Sequence, residues 1–408
     1  MGFDAIWISP VVDNFGEGYH GYWAQNWEKT NDHFGSSADL KALVDACHAK
    51  GIAVMVDVVA NHSAPIGDDF SKIYPLNHPE HYHKDCNIDD WNNQWQVENC
   101  RLAGLPDLNQ GDSYVRGYLK SWVKNLVQTY NFDGIRIDTI PEVEKQFWSE
   151  YGSASGVFQM GEVFNGNSGY VGPYQDFVTG LFNYPMYYTI KDVYGSGKSM
   201  YGIRDRWNDV SSHFKNPSAL GLFVDNHDNA RFLNQYNYEN GFKNALTFAL
   251  TGTGIPFFYY GSEQNYRGGN DPQNRESLWQ AMNTNSDVYK MTAAINKARK
   301  AAQVWNHNLE EKYVLDHVYA FSRGEMMVAT TNTDGQQNFS PSACWSDGTT
   351  VCNIFNTNDC QTISGGKINI QLNGQPKIYM PKGSVAFEDE DVFGAEIPES
   401  VEDVLMQK

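Results

Sequence analysis

Basic residues are scarce in this chain. Its 408 residues include 30 Lys and Arg against 49 Asp and Glu, a formal net charge of −19. Nucleic acid and anionic membrane surfaces are held through basic patches, so neither is an expected partner. Long apolar runs are missing too, and none approaches the ~18–20 residues that span a bilayer. Cysteine is sparse, at six. No CxxC pair occurs among Cys47, Cys86, Cys100, Cys344, Cys352 and Cys360, which argues against zinc and thioredoxin-type readings. No signal peptide is visible.

What is present is a rich supply of aromatics, 24 Tyr, 22 Phe and 11 Trp, and a regular alternation of strand-like and helix-like runs. Strands are expected at Ala5–Val11, Ile52–Val59, Phe132–Asp138, Val157–Glu162, Gly180–Asn183, Leu220–Asp225 and Ile255–Tyr260. Between them, Ala38–Lys50 places Leu40, Leu43, Val44 and Cys47 at helical spacing, and Tyr114–Tyr130 does so with Leu119, Trp122, Val123 and Leu126. Repeated βα units predict a parallel sheet. The architecture expected is a (β/α)8 TIM barrel of which seven strands are visible. The chain opens directly on a strand, MGFDAIWISP. A closed barrel gives every strand two neighbours, so the first barrel strand and its helix are expected to lie upstream and to be missing from this sequence.

The alternation breaks between 63 and 111, a stretch too long for a βα loop and rich in His, Asn and Asp. We expect a small inserted domain there, after the second visible strand, the third of a full barrel. Cys86 and Cys100 bracket its loops and are expected to pair, which implies an oxidising compartment. Cys47 is expected to be a buried free thiol, and Cys352 to pair with Cys360. The barrel is thus read as 1–62 and 112–304. From 305 to 388 short strands alternate with turns and no helices, the pattern of an antiparallel β-sandwich. An acidic tail, 389–408, follows. Asn338 opens a possible glycosylation sequon, NFS.

Four segments carry the chemistry: DVVANH (57–62), GIRIDTIPE (134–142), GEVF (161–164) and FVDNHD (223–228). Each is an apolar run ending in acids, a histidine or an arginine. Strands that all turn polar at their C-terminal ends describe a barrel with its active site on that rim. Asp138 and Glu162 fit a nucleophile and a proton donor for breaking a glycosidic bond. Arg136, two residues before Asp138, shares its face of the strand and would keep it ionised. Asp228 is placed to stabilise a cationic transition state, and His62 to bond a sugar hydroxyl. Asp57 reads as a structural acid, bound to backbone or to Arg136. Asn61, Glu98, Asp107 and the backbone of Glu142 form a second group of hard oxygen ligands that suits calcium, although Asn and Asp in loops are commonly turn formers.

These segments resemble the four signature regions of the α-amylase family, glycoside hydrolase family 13, and most of all secreted fungal α-amylases of the Taka-amylase type. GYHGYW (18–23), QVENC (96–100), LPDLN (105–109), NYPMYY (183–188) and GGNDPQNRE (268–276) match as well, so the resemblance spans nearly the whole chain. It implies a retaining double displacement with Asp138 as nucleophile, Glu162 as acid/base and Asp228 as the acid that holds the distorted sugar. It implies substrate contacts from Tyr22, Trp23, His62, Arg136, His227, Asp271 and Arg275. It implies Ca2+ bound by Asn61, Glu98, Asp107 and the Glu142 carbonyl, and a Cys86–Cys100 disulfide. The function it implies is endo-hydrolysis of α-1,4-glucosidic bonds in starch, glycogen or malto-oligosaccharides by a secreted, monomeric protein. A 4-α-glucanotransferase and a non-catalytic α-glucan-binding relative are the alternatives.

Two departures stand in the signature regions. Fungal members carry Lys-His where this chain has Pro141-Glu142, exchanging a cation and an imidazole of the leaving-group subsites for an anion. Asn165 replaces an Asp near the same subsites.

Overall fold

The computed structural model describes residues 1–385. The acidic tail expected at 389–408 lies outside the described residues, as do the last residues of the expected sandwich. All seven expected strands form, each shorter than its apolar run: β1 (Ala5–Ile8), β2 (Ala53–Val58), β3 (Gly134–Ile137), β4 (Phe158–Gly161), β5 (Gly180–Phe182), β6 (Leu220–Leu222) and β7 (Ile255–Pro256). They make one parallel sheet in chain order, the curved wall of a TIM barrel, with β1 and β7 as its two edges. The runs outlast the strands because their last residues leave the ladder at the rim and carry the polar side chains.

Helix α1 (Ser37–Ala49) starts on a reciprocal cap: the Ser36 hydroxyl accepts from the Asp39 amide, and the Asp39 carboxylate accepts from the Ser36 amide. It buries Leu40 and Val44, but Leu43 is 45% exposed and the free thiol Cys47 is only half-buried, so its apolar face is narrower than the sequence pattern predicts. Helix α2 (Ser113–Tyr130), capped by Asp112, buries Leu119, Trp122, Val123 and Leu126 as expected.

The stretch 63–111 forms short helical turns. Bridges from His62 to Asp107 and from Tyr82 to Leu108 fasten it to the end of β2 and to itself. The Cys86–Cys100 and Cys352–Cys360 disulfides are both present.

Beyond the barrel lies a six-stranded antiparallel sheet with a two-stranded ribbon, Gln336–Phe339 with Ile370–Asn373. Strand alternation divides its two faces. Val318, Ala320, Met327 and Ala329 meet the ribbon's Phe339 and Leu372. Tyr319, Phe321, Met326 and Val328 pack on the barrel's Phe242, Leu246 and Phe248. Its central strands Val318–Arg323 and Met326–Thr331 are therefore buried on both sides and fix the sheet to the barrel.

Candidate active site

Sheet register assembles the centre. Pairing of β2 with β3 sets Asp57 beside Arg136. Past the last strand residues, the Asp138 amide still donates to the Val58 carbonyl at 3.1 Å and the Glu162 amide to the Ile137 carbonyl at 2.9 Å. Both acids are thereby locked to neighbouring strands at the mouth.

Arg136 is 1% exposed and touches three carboxylates. Its Nη1 donates to Asp138 Oδ1 at 2.6 Å and to Asp57 Oδ1 at 3.1 Å, and its Nη2 lies 3.0 Å from Glu162 Oε2. Asp57 is the structural acid expected from its position; it also accepts from Trp7 Nε1 at 3.2 Å and from the Tyr22 hydroxyl at 2.7 Å. After Asp138 the chain turns through Thr139 at φ +52°, a left-handed conformation that costs a non-glycine residue ~1–3 kcal/mol. That turn aims the Thr139 amide at Glu162 Oε2, 3.3 Å away. The Tyr184 hydroxyl donates to Glu162 Oε1 at 3.4 Å and is itself held by Asn226 Nδ2 at 2.9 Å.

The two central acids are driven apart in proton affinity. Burial alone would raise Asp138, but the Arg136 guanidinium beside it holds it below the usual carboxylate range. Burial pushes Glu162 well up; the Arg136 guanidinium pulls it back, and the neighbouring Asp138 and Asp228 charges add to the rise. Two carboxyl groups with opposed environments are the signature of an assigned base and acid.

The partners of each ring nitrogen assign the histidine tautomers. Burial keeps His227 and His62 well toward neutral imidazole. The Tyr22 hydroxyl gives its proton to Asp57, so His227 Nε2, 2.7 Å from that oxygen, must donate to it. The His227 ring lies parallel to Tyr22, 5.7 Å between centroids. His62 Nε2 faces the Tyr22 carbonyl at 3.1 Å and must carry the proton. Its Nδ1 is then an acceptor and takes the Asn61 amide NH2 at 3.2 Å. This turns the Asn61 amide oxygen toward Asp107 Oδ1 at 3.0 Å and the Glu142 carbonyl at 3.1 Å. With its oxygen turned this way the Asn61 amide offers Asp107 and the Glu142 carbonyl no donor, whereas with the amide turned over its NH2 donates to both. The Glu98 carboxylate instead accepts from Gln94 Nε2 at 2.9 Å.

On the other side of the mouth Asp271 and Arg275 form an ion pair, Arg275 Nη2 lies 3.9 Å from Asp228 Oδ1, and the Tyr19 hydroxyl donates to Asp271 at 2.7 Å. Trp23 meets His20 edge-on at 4.7 Å and packs on the core. Glu142 corrects one expectation. It is buried, and burial pushes its carboxyl up to about 8, with Asp138 adding to the rise, so position 142 is not the ordinary exposed anion expected there. Tyr184, Asn226 and Tyr19 escaped the sequence reading as site residues. The stretches NYPMYY, FVDNHD and GYHGYW that hold them were noted, but nothing in a lone Tyr or Asn marks it as a partner of an acid.

The family model for the α-amylase catalytic domain matches residues 1–319. The chain belongs to the α-amylase family. It is 38% identical to an α-amylase of Saccharomycopsis fibuligera over 93% of this chain and 82% of that protein. It is 34% identical to α-amylase 1 of Schwanniomyces occidentalis over 93% of this chain and 80% of that protein. The solved α-amylase of Malbranchea cinnamomea superposes with a TM-score of 0.91 at 36% identity, covering 95% of this chain and 88% of that one. The α-amylase-family chain described here is accordingly a glycoside hydrolase of the α-amylase type. Among its described residues no helix is long and apolar enough to cross a membrane.

Proposed function

We propose that this enzyme hydrolyses internal α-1,4-glucosidic bonds of starch, glycogen and malto-oligosaccharides with retention of configuration. The observation that carries the reading is the Arg136 bridge, which holds a carboxylate kept ionised (Asp138) and a carboxyl kept protonated (Glu162) on adjacent nitrogens of one guanidinium. That closeness favours the retaining geometry of ~5 Å over the ~6.5–9.5 Å that admits a water between the acids. Asp138 Oδ attacks the anomeric carbon while Glu162 gives its proton to the glycosidic oxygen, releasing the leaving sugar and forming a glycosyl ester. Glu162, now ionised, takes a proton from water. The water oxygen attacks the anomeric carbon, and the Asp138 ester bond breaks. Asp228 stabilises the positive charge that develops on the ring in both steps. His62 and His227 are placed to bond sugar hydroxyls, and the Asp271–Arg275 pair closes the far side of the sugar.

The convergence of Asn61 Oδ1, Asp107 Oδ1 and the Glu142 carbonyl fits a hard cation, and Ca2+ is the ion such oxygens suit. Bound there, it would neutralise the three acceptors and tie the 63–111 stretch to the ends of β2 and β3. Glu98 sits on the same stretch. Secretion agrees with the two disulfides.

A second reading, glucanotransfer, draws on Pro141-Glu142, which alters the side that receives the leaving sugar or its competitor water. Both readings are tested by product analysis on maltoheptaose, with the anomeric form of the first products followed by NMR. Shorter products born in the α form are expected. Products longer than the substrate would favour the transferase, and β products would overturn the retaining mechanism.

A further inference from the structure

Asp228 stands on the loop that leaves β6, and two asparagines pin that loop from opposite sides. The Asn226 side-chain oxygen accepts from the Asp228 amide at 3.2 Å and from the Asn229 amide at 3.1 Å. Asn274 holds the carbonyls. Its NH2 donates to the His227 carbonyl at 2.8 Å and to the Asn229 carbonyl at 2.9 Å, the residues on either side of Asp228. Both partners only accept, so the place calls for a double donor. Asn274 is fully buried, and its Oδ1 has no hydrogen-bond partner among the described residues. The amide is thus spent on this loop. A buried acceptor left without a donor costs stability, and exceptions of that kind gather at functional sites.

Asn274 is itself firmly held. It belongs to the segment Gly268–Glu276, which is fastened to the same loop. Arg231, also fully buried, donates from Nε to Glu276 at 2.8 Å and from Nη2 to the Asn274 carbonyl at 3.0 Å. The Tyr259 hydroxyl donates to that carbonyl at 3.1 Å. The Arg231 guanidinium lies 4.5 Å from the centre of the Tyr259 ring and 5.3 Å from that of Tyr266, close enough for cation–π attraction. The Arg231 amide donates to the Gly268 carbonyl at 3.1 Å, and the Gly268 amide to the Glu276 carboxylate at 2.7 Å. Closeness requires the glycine, since a Cβ there would collide with the Gln273 carbonyl oxygen. The same segment carries the Asp271–Arg275 ion pair, so Asp228 and that pair share one frame.

We propose that Asn274 is a positioning residue for Asp228. By holding the carbonyls of His227 and Asn229 it fixes the Asp228 carboxylate at the place where positive charge develops on the sugar ring. The inference rests on the reading of Asp228 as the acid that stabilises that charge. His227 is anchored separately, through its ring on the Tyr22 hydroxyl, so Asp228 is the group that depends on the clamp. A preorganised charge stabilises a transition state only at the right distance, and a displacement of about 1 Å costs on the order of 10²-fold. Ground-state binding is spread over many contacts and tolerates such a shift. The loss of Asn274 therefore belongs in kcat rather than in KM.

The test is a double-mutant cycle on maltoheptaose. Asn274→Ala is expected to lower kcat about 10- to 100-fold and to leave KM within about threefold of the parent. In a Glu162→Gln background it should leave the dissociation constant for maltoheptaose within about threefold as well, as a folded cleft requires. Once Asp228→Asn has removed the carboxylate, adding Asn274→Ala should cost no more than about threefold in kcat. Asn274→Asp keeps the shape of the side chain but turns an acceptor toward the two carbonyls, so it should lose at least as much as the alanine variant. It carries the same cycle if the alanine variant does not fold. Unchanged kcat in both Asn274 variants overturns the inference, and so do fully additive losses in the cycle. Loss of maltoheptaose binding in both variants overturns it too, because Asn274 would then hold the fold and not Asp228. An Asp228→Asn enzyme with parental kcat would overturn the role given to Asp228 and the inference with it, whereas an impaired Asp228→Asn enzyme beside unimpaired Asn274 variants overturns the inference alone.

Discussion

Arg136 Nη1 binds Asp138 at 2.6 Å while also donating to Asp57, so a single buried cation positions the nucleophile and balances the acids around it. The consequences of losing it differ for charge and for shape. Arg136→Gln leaves buried carboxylates without a counter-charge, a loss of ~3–5 kcal/mol, and is expected to lower the melting temperature steeply. Arg136→Lys keeps the charge but cannot fork toward Asp138 and Glu162 together. It should melt closer to the parent yet lose about 100-fold or more in kcat/KM on maltoheptaose. Equal activity for the lysine variant would mean that charge alone, without the bridge, suffices.

The opposed shifts of Asp138 and Glu162 set the pH profile. Asp138 must be ionised to attack; its pKa is lowered, so the acid limb should fall below the ordinary carboxylate range. Glu162 must be protonated to serve the leaving group; its pKa is raised well above the ordinary value, so activity persists through neutral pH and falls on the alkaline side. A kcat/KM profile on a short malto-oligosaccharide measures both limbs. Glu162→Gln should cost ~10²–10⁴-fold in rate and abolish the alkaline limb. An alkaline limb that survives in that variant would belong to another group.

The barrel was legible in the sequence because its strands read as unbroken apolar runs, the inner ones such as Gly134–Ile137 and Leu220–Leu222 being buried on both faces, and the acids at their ends marked the rim. Arg136 was legible through its two-residue spacing from Asp138. Leu43 misled because helical spacing shows which residues could share a face, not how much of that face a neighbour covers. The tautomers of His62 and His227 had no signature at all, since they depend on which partner each ring nitrogen meets in space. The raised proton affinity of Glu142 was likewise hidden: sequence supplies the charge type, and burial decides how readily it is charged.

The tautomer argument yields a metal-dependent observable. With a cation among Asn61, Asp107 and Glu142, the Asn61 NH2 stays on His62 Nδ1 and the proton on Nε2. Without one, the amide gains two hydrogen bonds by turning over, to Asp107 at 3.0 Å and to the Glu142 carbonyl at 3.1 Å, and its oxygen then asks for a proton on Nδ1. Chelation is therefore expected to move the His62 ring-nitrogen NMR signals toward the other tautomer and to lower the melting temperature, because a ligand of the folded state stabilises it by mass action. Neither change on chelation would remove calcium from this site.

Position 141–142 offers the sharpest question about substrate length. The Pro141 carbonyl accepts from Gln94 at 3.0 Å, and the Glu142 carboxyl is buried with Oε2 lacking a hydrogen-bond partner among the described residues. An acid in this state gives a leaving sugar neither a cation nor an imidazole to bind. Replacing Pro141-Glu142 by Lys-His should restore about one good hydrogen bond to the leaving chain, worth ~1.4 kcal/mol, or roughly tenfold. Because extra leaving-side sugars exist only in longer substrates, the gain should appear in the ratio of kcat/KM on amylose to that on maltotriose. The Glu142 carbonyl stays in place, so the melting temperature in calcium should change little. A ratio that does not move would mean that the leaving side is set elsewhere. Trp91 and Trp95, 58% and 64% exposed on either side of Gln94, would then be the residues to vary next.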